Sequence, residues 1–351
     1  MADTSLGRMV VGHRQAIALL ERALDGDRLN HAYLFVGPAR VGKAALARAF
    51  AQALNCSGEP RPCGQCRPCR LIARGVYPDF RLLQGGRSAP EGSGARASGG
   101  GERAASRSIG IEPIRELQRE AALAPYEGHW KVYVVADAQF LTPEAANCLL
   151  KTLEEPPAHV LLILTADEPD ALLPTIVSRC QQIRLAPVPT DELRAALRDR
   201  WQVEPARAEL LARLAAGRPG WAIDILADPK PLEERATHLA DLLALGRGTR
   251  NDRFAYAEKL AQEYGRDPER VVRVLDLWLG WWRDLLLTQA GCEEMVGNWD
   301  RLDDLRRRAR LLSVQQIRAA LRSVEATLTH LAQNVNPRLA LEVLVLGLPT
   351  G

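Results

Sequence analysis

The sequence predicts an α/β domain built on a parallel sheet, followed by a small helical domain and then a larger all-helical one. Three observations carry that expectation. Short, nearly continuous apolar runs alternate with helical spacing in the first half of the chain, the pattern of strands covered by helices on both faces. A glycine-rich turn joins the first of these runs to the helix that follows it. From Pro187 onward the strand signals cease and only helical periodicity remains.

Taken in order, Ala32–Val36 (Ala-Tyr-Leu-Phe-Val) reads as the first strand and residues 44–54 as the helix after it. Two more strands are expected at 132–136 and 160–164, with a helix over 145–153 between them. Residues 85–108 carry seven glycines in their first seventeen positions and no apolar periodicity, so they are expected to form a flexible loop. Pro187, Pro189 and Thr190 mark a boundary, and Asp191-Glu192-Leu193 opens a helix. Helical patterns then run to the end, broken at 217–220, 228–231 and 246–249. The expected division is an α/β domain over 1–186, a small helical domain over 187–235 and an all-helical domain over 236–351.

A chain of 351 residues, 47% hydrophobic and 25% charged, is long enough for such a division and a sizeable core. The net charge of +3, from 46 basic and 43 acidic residues, excludes a polybasic nucleic-acid coat, so any contact with nucleic acid must be local. Arginine supplies 41 of the basic residues, a bias that genome base composition accounts for. Residues 1–12 hold no apolar core of the length an export signal needs. The most apolar late stretch, 271–290, is broken by Arg273, Asp276, Arg283 and Asp284, which a membrane span would have to bury. A cytoplasmic address and no membrane contact are expected. At that address clustered cysteines point to a metal rather than to disulfides.

Gly37-Pro-Ala-Arg-Val-Gly42-Lys43-Ala44 lies between the first strand and its helix, the setting a phosphate-binding loop requires. Gly37 and Gly42 let the backbone turn so that several N–H groups face one anion, and Lys43 is the residue to reach the β- and γ-phosphates. Ala44 stands where a Ser or Thr hydroxyl would bind Mg²⁺. Asp137 ends the second apolar strand and is placed to hold Mg²⁺ through water, but Ala138 follows where a water-activating Glu is normally found. Two losses strike one reaction, so hydrolysis is not expected. A silent, retained loop and non-hydrolytic ATP binding both remain open.

Cys56, Cys63, Cys66 and Cys69 follow the spacing C-x6-C-x2-C-x2-C in a segment rich in Gly and Pro. Four thiolates suit the tetrahedral preference of Zn²⁺ and leave no open position for catalysis, so one structural Zn²⁺ per chain is expected. An iron–sulfur cluster and free thiols are the competing readings. Cys148 and Cys292 lack such clustering and read as packing residues.

The phosphate loop, the four-cysteine insertion behind its helix, residues 147–157 (Asn-Cys-Leu-Leu-Lys-Thr-Leu-Glu-Glu-Pro-Pro) and Ser178-Arg179-Cys180 together resemble the AAA+ subunits of the bacterial DNA polymerase III clamp loader. The resemblance covers residues 8–226 well, and Asn336-Pro337-Arg-Leu-Ala-Leu-Glu342 is similar to the family's last helix. Within the family, Ala44, Ala138 and Gly220, the last where the gamma/tau subunits would carry an arginine in a GSxRDA-like motif, resemble the delta-prime branch. The ATP-hydrolysing gamma/tau branch is the alternative. The resemblance implies an AAA+ domain, a helical lid and a C-terminal collar. It further implies a stator in a heteropentamer with gamma/tau and delta subunits, which places a sliding clamp on primer–template DNA. In that setting Arg179 would be an arginine finger acting in trans on a neighbour's nucleotide, since a guanidinium can fork onto a γ-phosphate.

The remaining features read as structural. Thr165 falls near the family's nucleotide-sensing position, with little to sense beside Ala138. Lys151–Pro157 is at least in part a helix end stopped by two prolines. Trp278, Trp281 and Trp282 have helical apolar spacing and are expected to pack, and residues 306–310 (Arg-Arg-Arg-Ala-Arg) to form a solvated helix face.

Overall fold

Along the three central strands, alternate side chains enter two different apolar cores. A computed structural model describes residues 6–26, 28–85, 108–333 and 335–349, so the loop expected over 85–108 lies, apart from its two end residues, outside the described residues. In strand β1 (Ala32–Val36), Tyr33 and Phe35 join one core while Ala32, Leu34 and Val36 join the other. This is the period-two geometry of a strand, applied to residues that are apolar on both sides.

The chain enters with helix α1 (Arg14–Asp25), and β1 is followed by α2 (Lys43–Asn55), α3 (Arg67–Arg74) and β2 (Phe80–Leu83). Next come α4 (Ile111–Ala121), β3 (Lys131–Val135), α5 (Pro143–Glu154), β4 (Val160–Ala166), the short α6 (Pro174–Val177), β5 (Gln181–Arg184) and α7 (Thr190–Trp201). The five strands form one parallel sheet in the order β2-β3-β4-β1-β5. Ala16, Ile17 and Leu20 of α1, Leu46 and Phe50 of α2 and Ile72 of α3 cover one face. Ile114 and Leu117 of α4, Leu149 and Leu153 of α5 and Ile176 of α6 cover the other. The expected α/β class with a parallel sheet is what the chain adopts.

Two compact units are present, Met1–Gln202 with Gly217–Trp221 and Val203–Ala216 with Ala222–Gly351. The second unit contains α8 (Pro205–Ala215), most of α9 (Pro219–Ala227), α10 (Lys230–Leu245), α11 (Arg250–Arg266), α12 (Pro268–Gln289), α13 (Leu302–Leu311), α14 (Val314–Ala332) and α15 (Pro337–Gly347). The three sequence interruptions fall at helix boundaries: 246–249 lies between α10 and α11, while 217–220 and 228–231 run into the first residues of α9 and α10. Local chemistry sets the starts: Thr249 with Asp252, and Ser313 with Gln316, form reciprocal capping boxes, and Asn336 caps α15 ahead of Pro337. Trp278, Trp281 and Trp282 are buried in this unit's core, with Tyr256 stacked on Trp278, so the packing reading holds. Buried Arg253 donates to the carbonyls of Val345 and Leu348 at the carboxyl end of α15. Arg306 pairs with Glu293 and Asp303, and Arg307 with Asp304, so these two cations are balanced locally, but Arg308 is buried and so departs from the solvated face expected over 306–310. Among the described residues, no helix is long and apolar enough to cross a membrane.

Candidate functional site

In a parallel sheet whose strand order reverses beside β1, the loops at the carboxyl ends of adjacent strands meet, and ligands bind there. The loop after β1 begins at Gly37, whose N–H donates to Ala166 O at 3.2 Å across the sheet. A Cβ on Gly37 would lie 2.2 Å from Leu185 O, so no other residue fits. Gly42 sits just before α2 with φ +119°, a backbone region in which L residues are strained. The glycines thus do the geometric work expected of a phosphate loop.

Lys43 does something else with its charge. Its side chain is 6% exposed, and Nζ donates to Gly37 O at 2.5 Å, to Pro38 O at 3.2 Å and to Asp167 Oδ1 at 2.7 Å. Three acceptors match the three N–H bonds of an ammonium. Asp167, just past β4, is also held by Gln139 Nε2 at 3.3 Å. The lysine expected to reach phosphates is engaged inside its own chain, by an aspartate that gave no signal in the sequence.

Asp137 follows β3 with φ +52°, and its N–H donates to Thr165 Oγ1 at 2.9 Å. Thr165 is buried and serves the backbone, in keeping with a structural role. Ala138 is buried, while Ala44 is exposed in the first turn of α2. Gly220 packs directly on the loop: its N–H donates to Arg40 O at 2.9 Å, and a Cβ there would lie 2.9 Å from the same oxygen. A side chain at this position would therefore crowd the backbone of the loop.

His13, at the start of α1, donates from Nε2 to Val41 O at 2.9 Å and so buttresses the same loop. Burial lowers its pKa below the ordinary 6.5, outweighing the Val41 carbonyl and the more distant Glu192. The unfolded chain then binds a proton that the folded chain resists, so stability is lost as pH falls through 6.5 toward the folded value. Burial lowers His238 in the second unit in the same direction. Urea melts at pH 7.5 and pH 5.5 should show lower stability at the acid end, and His13→Asn should reduce that difference by about 0.5 kcal/mol or more. An unchanged pH difference in the variant would rule out His13 as a source.

The cysteines converge. Cys56 caps the end of α2, Cys66 precedes α3, Cys69 lies in its first turn, and Cys63 sits in the loop between the two helices. All four Sγ atoms lie within 4.8 Å of one another. A tetrahedral ion with metal–sulfur bonds of about 2.3 Å wants sulfurs about 3.8 Å apart. Cys56 Sγ and Cys66 Sγ are 3.8 Å apart, so the donor set fits such an ion. Burial pushes the Cys56 and Cys69 thiols up. Burial also acts upward on Cys66, but N–H groups of Cys69 and Ser57 outweigh it and bring the thiol down to about 6. The backbone N–H of Cys66 lowers Cys63, donating to its sulfur at 3.3 Å.

Two buried polar residues missed in the sequence tie this module to β3. Asn55 accepts from the N–H groups of His129 and Trp130 at 2.9 and 3.0 Å. Asp79 accepts from those of Tyr126, Glu127 and Gly128 at 2.7 to 2.9 Å. Gln52 of α2 donates to Cys69 O at 2.7 Å. The polar lining of an irregular segment has no periodicity, so only the structure reveals it.

Arg179 follows α6, on the part of the chain leading into β5. Ser178 N–H and Arg179 N–H close the short helix onto Pro174 O and Ile176 O. Ile176 is buried and Cys180 packs against the same core, which turns Arg179 outward between them. Its side chain is 35% exposed; Nη1 donates to Thr175 O at 2.9 Å and Nη2 pairs with Glu154 at 2.7 Å. The structure thus brings together Gly37, Gly42 and Lys43, with Asp137 on the β3 end, and keeps the cysteine module and Arg179 as separate features.

A phosphate loop after β1, an acid after β3 and a parallel β2-β3-β4-β1-β5 sheet define a P-loop protein of the AAA+ class. A family model described as DNA polymerase III, delta subunit, matches residues 12–189, half of the chain. The chain belongs to that family. It is 29% identical over 338 residues to the DNA polymerase III subunit delta' of Bacillus subtilis, covering 96% of both chains. It is 30% identical over 363 residues to the DNA polymerase III subunit gamma/tau of Mycobacterium tuberculosis, covering 95% of this chain and 59% of that protein. A solved structure of a DNA polymerase III gamma subunit-related protein from Thermotoga maritima aligns with a TM-score of 0.42 and 16% identity, over 93% of this chain and 97% of that one.

Proposed function

We propose that this chain is the delta-prime-type stator of a DNA polymerase III clamp loader, a subunit without ATPase activity that supplies Arg179 in trans to a nucleotide held by a neighbouring gamma/tau subunit. The observation that carries this reading is the contrast between two cations. Lys43 is buried and spent on Asp167 and two loop carbonyls, while Arg179 stands partly exposed with N–H donors to spare. Ala44 and Ala138 remove Mg²⁺ alignment and water activation, and Gly220 removes the third nucleotide contact.

In this reading the helices of 236–351 join a collar with gamma/tau and delta subunits in a heteropentamer, and 187–235 form the lid. The assembly opens a sliding clamp and places it on primer–template DNA. The four cysteines hold one structural Zn²⁺, because soft thiolates in a closed tetrahedral set favour that ion.

The test is turnover by the isolated chain. With ATP and Mg²⁺, phosphate release should not exceed background, with or without primed DNA. A fluorescent ATP analogue should bind the chain no better than it binds Lys43→Ala. Turnover by the chain alone would overturn the proposal and restore the gamma/tau-type alternative.

A further inference from the structure

Glu154, within the 151–157 segment at the end of α5, touches the one side chain to which the proposed function assigns a role in trans. Glu154 is the last residue of α5, where the unpaired carbonyls of the helix give a partial negative charge. An acid at that end opposes the helix dipole, so a nearby cation is needed to offset it. Arg179 is that cation, with Nη2 at 2.7 Å from Glu154 Oε1. Thr175 O holds the other terminal nitrogen at 2.9 Å and also accepts from Ser178 Oγ at 3.2 Å. These two contacts engage one N–H on each of two nitrogens. A guanidinium has five, so a face with free donors remains for a phosphate.

We infer that Glu154 is a positioning residue for Arg179: it holds the guanidinium at the end of α5 with free N–H donors directed away from its own chain. The inference rests on the reading of Arg179 as a finger. A long side chain on a surface samples many rotamers, and holding it in one removes an entropic cost that would otherwise fall on the transition state. Adjacent Glu155 lies just past the helix, with φ −122° and ψ +71°, and serves as the internal control.

The experiment reconstitutes the clamp loader with the full chain as wild type, Glu154→Gln, Glu154→Asp, Glu155→Gln, Arg179→Ala and the Glu154→Gln/Arg179→Ala double variant. DNA-stimulated ATP hydrolysis is resolved into kcat and KM, with assembly checked by gel filtration. Glu154→Gln should lower kcat about threefold to tenfold with KM for ATP unchanged. Glu154→Asp should recover much of the loss, Glu155→Gln should match wild type, and the double variant should be no slower than Arg179→Ala alone. A rate that is unchanged or raised in Glu154→Gln would overturn the inference. So would an equal further loss on the Arg179→Ala background, since Glu154 would then act elsewhere. If Arg179→Ala itself leaves kcat intact, the finger reading fails first and is identified as the cause.

Discussion

Replacing Cys66 by serine is expected to strip the metal from the chain and to lower its stability on the order of 3 kcal/mol or more. The wild-type chain should carry one zinc, measured by metal analysis, and the variant little or none. Serine keeps the size of the side chain but is a poor ligand for zinc, and three remaining thiolates do not close a structural site. Cys66 is the most exacting position to test. It stands at the N-terminus of α3 and is the thiol brought down to about 6, so it is ready to act as thiolate near neutral pH. Its loss frees α3, which otherwise reaches back to α2 through Gln52 and Cys69 O. The loosening should extend to residues 126–130, because Asn55 lies next to Cys56 and holds the N–H groups of His129 and Trp130. Hydrogen exchange should therefore rise in both segments. A variant that retains zinc and melts with wild type would refute the ligand assignment, and visible iron absorbance in the wild type would refute the metal.

The legibility of the fold divides by position in the sheet. Strands β1, β3 and β4 are interior, need apolar side chains on both faces, and stand out as continuous runs. The edge strands β2 (Phe-Arg-Leu-Leu) and β5 (Gln-Gln-Ile-Arg) escape such a reading, since each is four residues long and carries polar side chains. Arg81 of β2 pairs with Glu116 and Glu120 on α4, which makes the strand look like loop. Helices α1, α3, α4 and α6 also escape that reading, and α3 hides within the cysteine spacing itself. At the site, motif positions were legible because glycine, lysine and cysteine are the residues that loop geometry and metal chemistry demand. Their partners were not. Asp167 lies 124 residues from Lys43 in sequence, Glu154 lies on a different element from Arg179, and no local pattern links either pair. Pairings of that kind depend on which strands are neighbours, and the order β2-β3-β4-β1-β5 is a property of the fold rather than of any window of residues.

Arg179→Ala in a reconstituted loader is expected to cost roughly tenfold or more in DNA-stimulated ATP hydrolysis while leaving assembly intact. An arginine finger is worth more than that in single-site enzymes, and a loss of this size in the proposed loader requires that any nucleotide site Arg179 does not reach turn over only together with the one it completes, leaving a small residual rate. The folded chain should tolerate the change. Arg179 is partly exposed, its pairing with Glu154 is a surface ion pair of about 0 to 1 kcal/mol, and the freed carboxylate remains hydrated. A melt of the isolated variant should thus coincide with wild type, so that lost activity reports on the interface and not on folding. Arg179→Lys separates charge from geometry: an ammonium keeps the charge but lacks the planar fork, so lysine should rescue little of the rate. Clamp loading on primed DNA should fall with hydrolysis, because in the proposed reading the assembly uses ATP to place the clamp. Full activity in Arg179→Ala would reduce this residue to a surface arginine, and full rescue by lysine would make its role a matter of charge alone.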